Sequence, residues 1–151
     1  MIMEKLEIKA AIQIQKPVSI VFDAIVDPGQ MSNYFIAEGS ARMESGATVN
    51  WKFPEFDDRI PVRVDEVVTD NEISFYWDNG NRENKVTISL SPRENNSTLV
   101  NISEKEMDND DAGIKWLVGN TEGWANFLAC LKAWLEYGIN LRKGAFDFMR
   151  K

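Results

Sequence analysis

The stretch GWANFLACLKAWLEYG, residues 123–138, predicts a long helix that is apolar over much of its surface. Ala, Leu, Lys and Glu are strong helix formers, no proline interrupts the stretch, and Gly138 stands where a helix stop is expected. At about 100° per residue, the bulky side chains share one face: Trp124, Phe127, Leu128, Leu131, Trp134 and Leu135. This face covers roughly half of the helix, more than the stripe of an ordinary surface helix. We therefore expect a broad surface, most naturally a curved sheet, to cover it.

Upstream of this helix, apolar and polar residues alternate with a period of two, which is typical of half-buried antiparallel strands. The apolar sets are Val49, Trp51 and Phe53; Ile60, Val62 and Val64; Ile73, Phe75 and Trp77; Val86, Ile88 and Leu90; and Val100 and Ile102. Turn-forming stretches such as ESG and PRENN separate the sets. The pattern predicts a meander of five or six strands with short hairpin connections.

The start of the chain adds one more strand and two short helices. Residues 6–15 alternate cleanly and predict a strand, and residues 18–26 have helical spacing after Pro17. The DPGQ stretch at 27–30 is expected to end this helix, and MSNYF at 31–35 predicts a second short one. A sheet of about seven strands that is apolar on one face only must cover something, so we expect it to wrap around the C-terminal helix. The predicted fold class is α+β, with residues 1–151 forming a single domain.

The polar segments between these elements have structural interpretations. Residues 119–122 permit a kink before the long helix. Residues 108–111, DNDD, are expected to cap a helix start, because the glycine and closing glutamate of a calcium loop are absent. Glu55, Asp57 and Asp58 are expected to lie in a solvated hairpin loop rather than to form an acid–base pair. The tail, residues 141–151, is expected to be a short helix or a frayed end.

Composition argues against several classes of function. With a net charge of −7 and a pI near 4.7, the chain has no surplus of Lys and Arg for nucleic acid or an anionic membrane. Histidine is absent, which removes His-based catalysis and almost every zinc site, and we expect neither a metal nor a cofactor. The single cysteine, Cys130, is expected to be a buried thiol. No apolar run has the length of a signal peptide or a membrane span, so we expect a cytoplasmic protein.

Large apolar side chains converge on the space between the predicted sheet and helix. The candidate ligand-binding residues come from the short helices, the strands and the long helix: Phe22, Met31, Tyr34, Phe35, Trp51, Phe53, Phe75, Trp77, Trp124, Phe127, Leu128 and Leu131. Two interpretations stay open, a solid core or a ligand-sized cavity. The second has a physical basis, because rigid rings on a concave sheet leave gaps, and small-molecule sites have apolar walls with a few polar groups.

The order of these patterns resembles the START-like superfamily, whose fold is called helix-grip, and within it the family of activator of heat shock protein 90 ATPase homologues. Three stretches carry the likeness: KPVSIVFDAIVDPGQMSNYF, ESGATVNWKF and GWANFLACLKAWLE. Together they span about residues 6–138. The resemblance implies a deep cavity between helix and sheet that binds small apolar or amphipathic molecules, on which a few relatives act as enzymes. Family membership alone does not fix function.

Three functional hypotheses follow. The favoured one is a binding module for a small apolar or aromatic ligand. The first alternative is a co-chaperone that stimulates a heat shock protein 90 type ATPase, which rests on the resemblance. The second is an enzyme acting on aromatic or polyketide-like compounds, in which Tyr34 or a carboxylate would move protons. The chain is expected to be a monomer, or a homodimer formed through the alanine row Ala125, Ala129 and Ala133.

Overall fold

Seven antiparallel strands form one sheet, in which the first and last strands of the chain are neighbours. The computed structural model describes residues 4–78, 80 and 82–150. The strand order is β1-β7-β6-β5-β4-β3-β2. The bounds are β1 Leu6–Ile14, β2 Glu38–Gly39, β3 Thr48–Lys52, β4 Arg59–Val68, β5 Glu72–Asp78, β6 Glu83–Arg93 and β7 Ser97–Met107. The curved sheet, the long C-terminal helix and the early short helices confirm the predicted α+β helix-grip fold.

The alternation of apolar and polar residues along each strand determines which face of the sheet is buried in the core. Val62, Val64, Phe75 and Val86 are at most 2% exposed, whereas residues between them in sequence, such as Arg63, are exposed. Since successive side chains of a strand point to opposite faces, one face packs into the core and the other meets solvent. The predicted inward sets are confirmed, with Phe53, Ile60 and Trp77 only half-buried.

The early helices differ from the prediction in position. Helix α1 spans Val18–Val26 as expected, but helix α2 spans Pro28–Met31 and so overlaps the stretch, residues 27–30, that was expected to break the helix. The placement at residues 31–35 is therefore wrong. The physical reason is local: the Asp27 carboxylate accepts a hydrogen bond from the Gly29 N–H at 2.9 Å, and Pro28 has a backbone angle suited to a first helical turn.

The C-terminal helix α3 runs without interruption over Asp111–Tyr137, 27 residues. It begins at the Asp110 cap, whose carboxylate accepts from the Gly113 N–H at 2.8 Å, so the capping role of the DNDD stretch is confirmed. It ends at Gly138 in the left-handed conformation, φ 65°. The kink permitted at residues 119–122 is absent. No helix within the described part of the chain has the length and apolar character needed to cross a membrane.

The sheet covers the apolar face of α3. Of the six side chains on the predicted apolar face, four are at most 3% exposed and two, Trp134 and Leu135, are half-buried. The four are Trp124, Phe127, Leu128 and Leu131. Cys130 is 4% exposed, and burial raises the pKa of its thiol against a smaller lowering by Arg142. Cys130 is therefore the buried thiol that was expected.

Polar contacts fasten the end of α3 to the residues around the end of β1. The Glu136 carboxylate accepts hydrogen bonds from the Gln15 N–H at 2.9 Å and from Lys132 Nζ at 2.5 Å, and Lys132 also donates to the Gln13 carbonyl at 2.8 Å. Desolvation alone would raise the pKa of Glu136. The hydrogen bonds from Gln15 and Lys132 outweigh it, so the pKa is lowered from its usual 4.5.

Glu136→Gln is expected to lower the free energy of unfolding by about 1.5 kcal/mol at neutral pH, because hydrogen bonds to a charged group are lost. A carboxyl with a lowered folded pKa stabilises above its unfolded pKa, and this contribution is lost as pH falls through the folded value. Urea unfolding from neutral to acidic pH should show the difference from wild type shrinking below about pH 4.5. The exposed Glu44→Gln is the control, and a difference independent of pH would contradict the account.

Candidate functional site

A pocket of about 630 Å³ opens between α3, the sheet and the segment that follows α3. This volume lies within the range of small-molecule sites in proteins. Eight of its 18 lining residues are aromatic: Phe35, Phe53, Phe56, Trp77, Trp116, Trp124, Phe146 and Phe148. The other lining groups include Ile60, Met149 and a small number of charged and amide side chains.

The twelve predicted site residues divide into two groups. Four line the pocket: Phe35, Phe53, Trp77 and Trp124. The other eight lie in the packed core, at most 4% exposed, and do not line the pocket: Phe22, Met31, Tyr34, Trp51, Phe75, Phe127, Leu128 and Leu131. Three of the eight, Trp51, Phe75 and Phe127, make ring contacts with residues that line the pocket. Contact of any of the twelve with a ligand stays a prediction.

The aromatic rings fix one another's positions. Phe35 makes edge-to-face contacts with Trp51, Phe53 and Phe127, with ring centroids 5.5, 5.1 and 4.7 Å apart. The indoles of Trp77 and Trp124 lie 5.4 Å apart at an interplanar angle of 32°. Rings within this distance range attract one another beyond their burial. The pocket wall is thus continuous with the core.

A buried carboxylate lies behind the two indoles. Glu104 on β7 is fully buried and accepts hydrogen bonds from Trp77 Nε1 at 2.9 Å and from Trp124 Nε1 at 2.8 Å. Asn120 Nδ2 donates to the same carboxylate at 3.3 Å. All three partners are N–H donors, so the oxygens of Glu104 act as acceptors in each of these hydrogen bonds. Three separate elements, β5, β7 and α3, therefore meet at one side chain.

Sequence reasoning missed Glu104, although a signal was present. Val100 and Ile102 were placed on the inward face of the last strand, and a period of two carries the same face to residue 104. The pattern was followed only as far as its last apolar residue. A glutamate at an inward position is a stronger indication of a polar site than an apolar residue there, because a buried charge needs partners.

The acidic loop after β3 is also different from the prediction. Glu55 was expected in solvent, but it is 8% exposed, and its carboxylate accepts from Arg142 Nη2 at 2.6 Å. The Arg142 guanidinium lies 4.7 Å from the ring centroid of Phe146 and 5.7 Å from that of Phe53. The expectation of a solvated Glu55 is wrong because the segment after α3 folds back over the loop. This segment, expected to be a short helix or a frayed end, contains one short helical turn, Asp147–Met149.

Two glycines make room on the helix side of the pocket. Gly119 and Gly123 lie four residues apart on α3, both line the pocket, and a Cβ at either would meet no atom within 4 Å. Glycine lowers helix stability by about 1 kcal/mol relative to alanine. Their presence inside a 27-residue helix therefore has a local energetic cost, and its structural effect is open space beside Trp124.

Tyr34 lies among the buried residues of the core. Its hydroxyl donates to the Ala24 carbonyl at 2.7 Å, and the side chain is fully buried. Burial, and to a smaller extent the Asp27 carboxylate, raise the pKa of Tyr34 well above its usual 10.0. The Tyr34 hydroxyl is thus held inside the core, and Tyr34 does not line the pocket. Within the described residues, no three Cys, Asp or Glu side chains gather in a way that could hold a metal ion.

The sequence matches the family model described as Activator of Hsp90 ATPase homolog 1-like protein over residues 15–136. No curated protein matches the chain. Among solved structures, protein SSP2350 from Staphylococcus saprophyticus is 31% identical, with a TM-score of 0.79 over 89% of this chain and 94% of that one.

Two further solved structures share the fold. The Aha1 dimer from Colwellia psychrerythraea is 17% identical, with a TM-score of 0.75 over 88% of this chain and 98% of that one. DynU16, a protein of the dynemicin biosynthetic locus, is 22% identical, with a TM-score of 0.79 over 89% of this chain and 48% of that one. At these identities the likeness shows the architecture alone.

Glu104→Leu is expected to lower the free energy of unfolding by about 3 kcal/mol, because two indole N–H groups and an amide lose their acceptor inside the core. Urea denaturation followed by tryptophan fluorescence measures the loss. Glu106→Gln, at an exposed position of the same strand, is the matched control and should stay within about 0.5 kcal/mol of wild type. A Glu104→Leu protein as stable as that control would show that the three hydrogen bonds do not hold the site.

Proposed function

This chain belongs to the family described as Activator of Hsp90 ATPase homolog 1-like protein, and from this premise we propose that it binds a small apolar or amphipathic molecule in the pocket beside α3. The observation that carries the proposal is an aromatic-walled space of about 630 Å³ that the fold leaves unfilled. Packed interiors contain few voids larger than a water molecule. The pocket is therefore far larger than a packing void, and a small molecule could occupy it.

Preorganisation supports binding. The rings of Trp77 and Trp124 are held by Glu104, and Phe35 and Phe53 are held by edge-to-face contact with each other. A ligand that meets rings already in place does not lose affinity to the ordering of those side chains. The pocket thus presents an aromatic wall whose rings are already held in place.

The rim supports the same proposal. Phe148 is 81% exposed and Met149 is 46% exposed, and both line the pocket. Adjacent exposed apolar side chains at the edge of a concave site are typical of surfaces that a ligand covers. The polar groups within reach, such as Asn120 and Asn126, would orient the ligand through hydrogen bonds.

The other roles stay predictions. Stimulation of a heat shock protein 90 type ATPase rests on the family description, and a homodimer through Ala125, Ala129 and Ala133 rests on the sequence and on the fold shared with the Aha1 dimer. A cytoplasmic location likewise rests on composition. None of these draws on the geometry of the pocket, so we propose ligand binding as the function.

Gly123→Leu is expected to abolish binding while leaving the fold intact. The new side chain would project into the pocket, where a Cβ meets no atom within 4 Å, and leucine favours the helix by about 0.8 kcal/mol over glycine. The neutral fluorescent probe N-phenyl-1-naphthylamine measures binding by its emission, and urea unfolding measures stability. The variant should bind the probe at least about tenfold more weakly than wild type with equal or higher stability.

Ala125→Leu is the matched control, because Ala125 is exposed, lies on the same helix and does not line the pocket. It should bind the probe as wild type does. Probe binding unaffected by Gly123→Leu, or no saturable binding to the wild type, would contradict the proposal.

A further inference from the structure

The ionisable side chains that line the pocket carry an excess of negative charge. They are Glu55, Asp78, Glu122 and Arg142. Glu55 and Arg142 neutralise each other as an ion pair at 2.6 Å. Asp78 lies at the end of β5 and Glu122 on α3, so the two remaining carboxylates belong to different walls. Within the part of the chain that the structure describes, neither of them forms an ion pair.

The carboxyl group of Glu104 lies behind the wall of the pocket. Its partners are three neutral N–H donors, two of which belong to the indoles of Trp77 and Trp124. An N–H group that donates to a carboxylate is polarised, and electron density moves toward the ring. Because a cation is attracted to the negative face of an aromatic ring, this arrangement favours a positive group in front of Trp77 and Trp124.

The protein already holds one cation against the aromatic side chains of this pocket. The Arg142 guanidinium lies 4.7, 5.7 and 6.0 Å from the ring centroids of Phe146, Phe53 and Phe35. These distances are within the range of cation–π contacts. The guanidinium shows that the aromatic lining accommodates a flat or compact cation, and Arg142 is the only basic side chain among the described residues that line the pocket.

Resting on the proposed function, we propose that the ligand is an amphipathic organic cation, with an apolar body and an amine or quaternary ammonium head. The apolar body would lie along the aromatic lining, and the head would lie between Asp78, Glu122 and the two indoles. An anionic head would be repelled by the carboxylates of Asp78 and Glu122, which line the pocket and form no ion pair with the described residues. The net charge of −7 adds a long-range attraction for cations.

Displacement of N-phenyl-1-naphthylamine from the full chain tests the preference with three compounds of one chain length. They are decyltrimethylammonium, 1-decanol and decanoate, each below the concentration at which it forms micelles, at low salt and neutral pH. The cation should bind at least about tenfold more tightly than the anion, with the alcohol between them. Raising the salt to several hundred millimolar should reduce the advantage of the cation over the alcohol, since exposed carboxylates are screened.

A double variant, Asp78→Asn with Glu122→Gln, should weaken binding of the cation about fivefold and leave the alcohol unchanged. The control is Glu44→Gln with Glu94→Gln, which removes the same charge from exposed positions outside the pocket, and it should change the affinity for the cation less than about twofold. Decanoate binding as tightly as the cation, or an undiminished preference in the pocket variant, would overturn the inference while leaving the proposed function standing. If no compound displaces the probe from wild type, the proposed function itself fails.

Discussion

The carboxylate of Glu104 is the point at which the sheet and the C-terminal helix are joined by polar contacts inside the core. It receives N–H groups from Trp77 on β5 and from Trp124 and Asn120 on α3. A buried carboxylate is tolerated only with such partners, and each partner is held in turn by its need for the acceptor. Apolar packing is sufficient to hold the helix against the sheet. These hydrogen bonds additionally fix the rotation of two indoles, and the wall of the pocket depends on that rotation.

The rest of the pocket follows from this junction. Beyond Trp124 the helix presents Gly119 and Gly123, which leave a gap instead of filling it. Past Gly138 the chain turns back, and Arg142 pairs with Glu55 over the aromatic rings. A buried ion pair contributes little net stability but is costly to break on one side, so it determines where the returning segment lies. The pocket is therefore bounded by a sheet, a helix and a segment that a single ion pair positions.

The sequence predicts the helices, the strands and their buried faces better than it predicts which residues line the pocket. Period-two alternation places Val64 and Phe75 inward, and helical spacing places Leu128 and Leu131 against them, because these patterns are local and burial follows directly from them. Which inward residues line open space depends on where helix and sheet diverge, and this is a tertiary property. For that reason Trp51 and Phe75, which share a face with Trp77, lie in solid core. Glu55 was misplaced because its partner is 87 residues away in the sequence.

The most direct test of the central claim is the nitrogen–proton NMR spectrum of the assigned indole groups, with exchange into deuterated water followed in the wild-type chain. The account predicts that the indole protons of Trp77 and Trp124 resonate downfield of free indole and exchange slowly, because both are donated to a carboxylate inside the core. Indole protons of these two residues that exchange rapidly and resonate at the position of free indole would contradict it. In that case Glu104 would not join helix and sheet, and the pocket would lack its fixed wall.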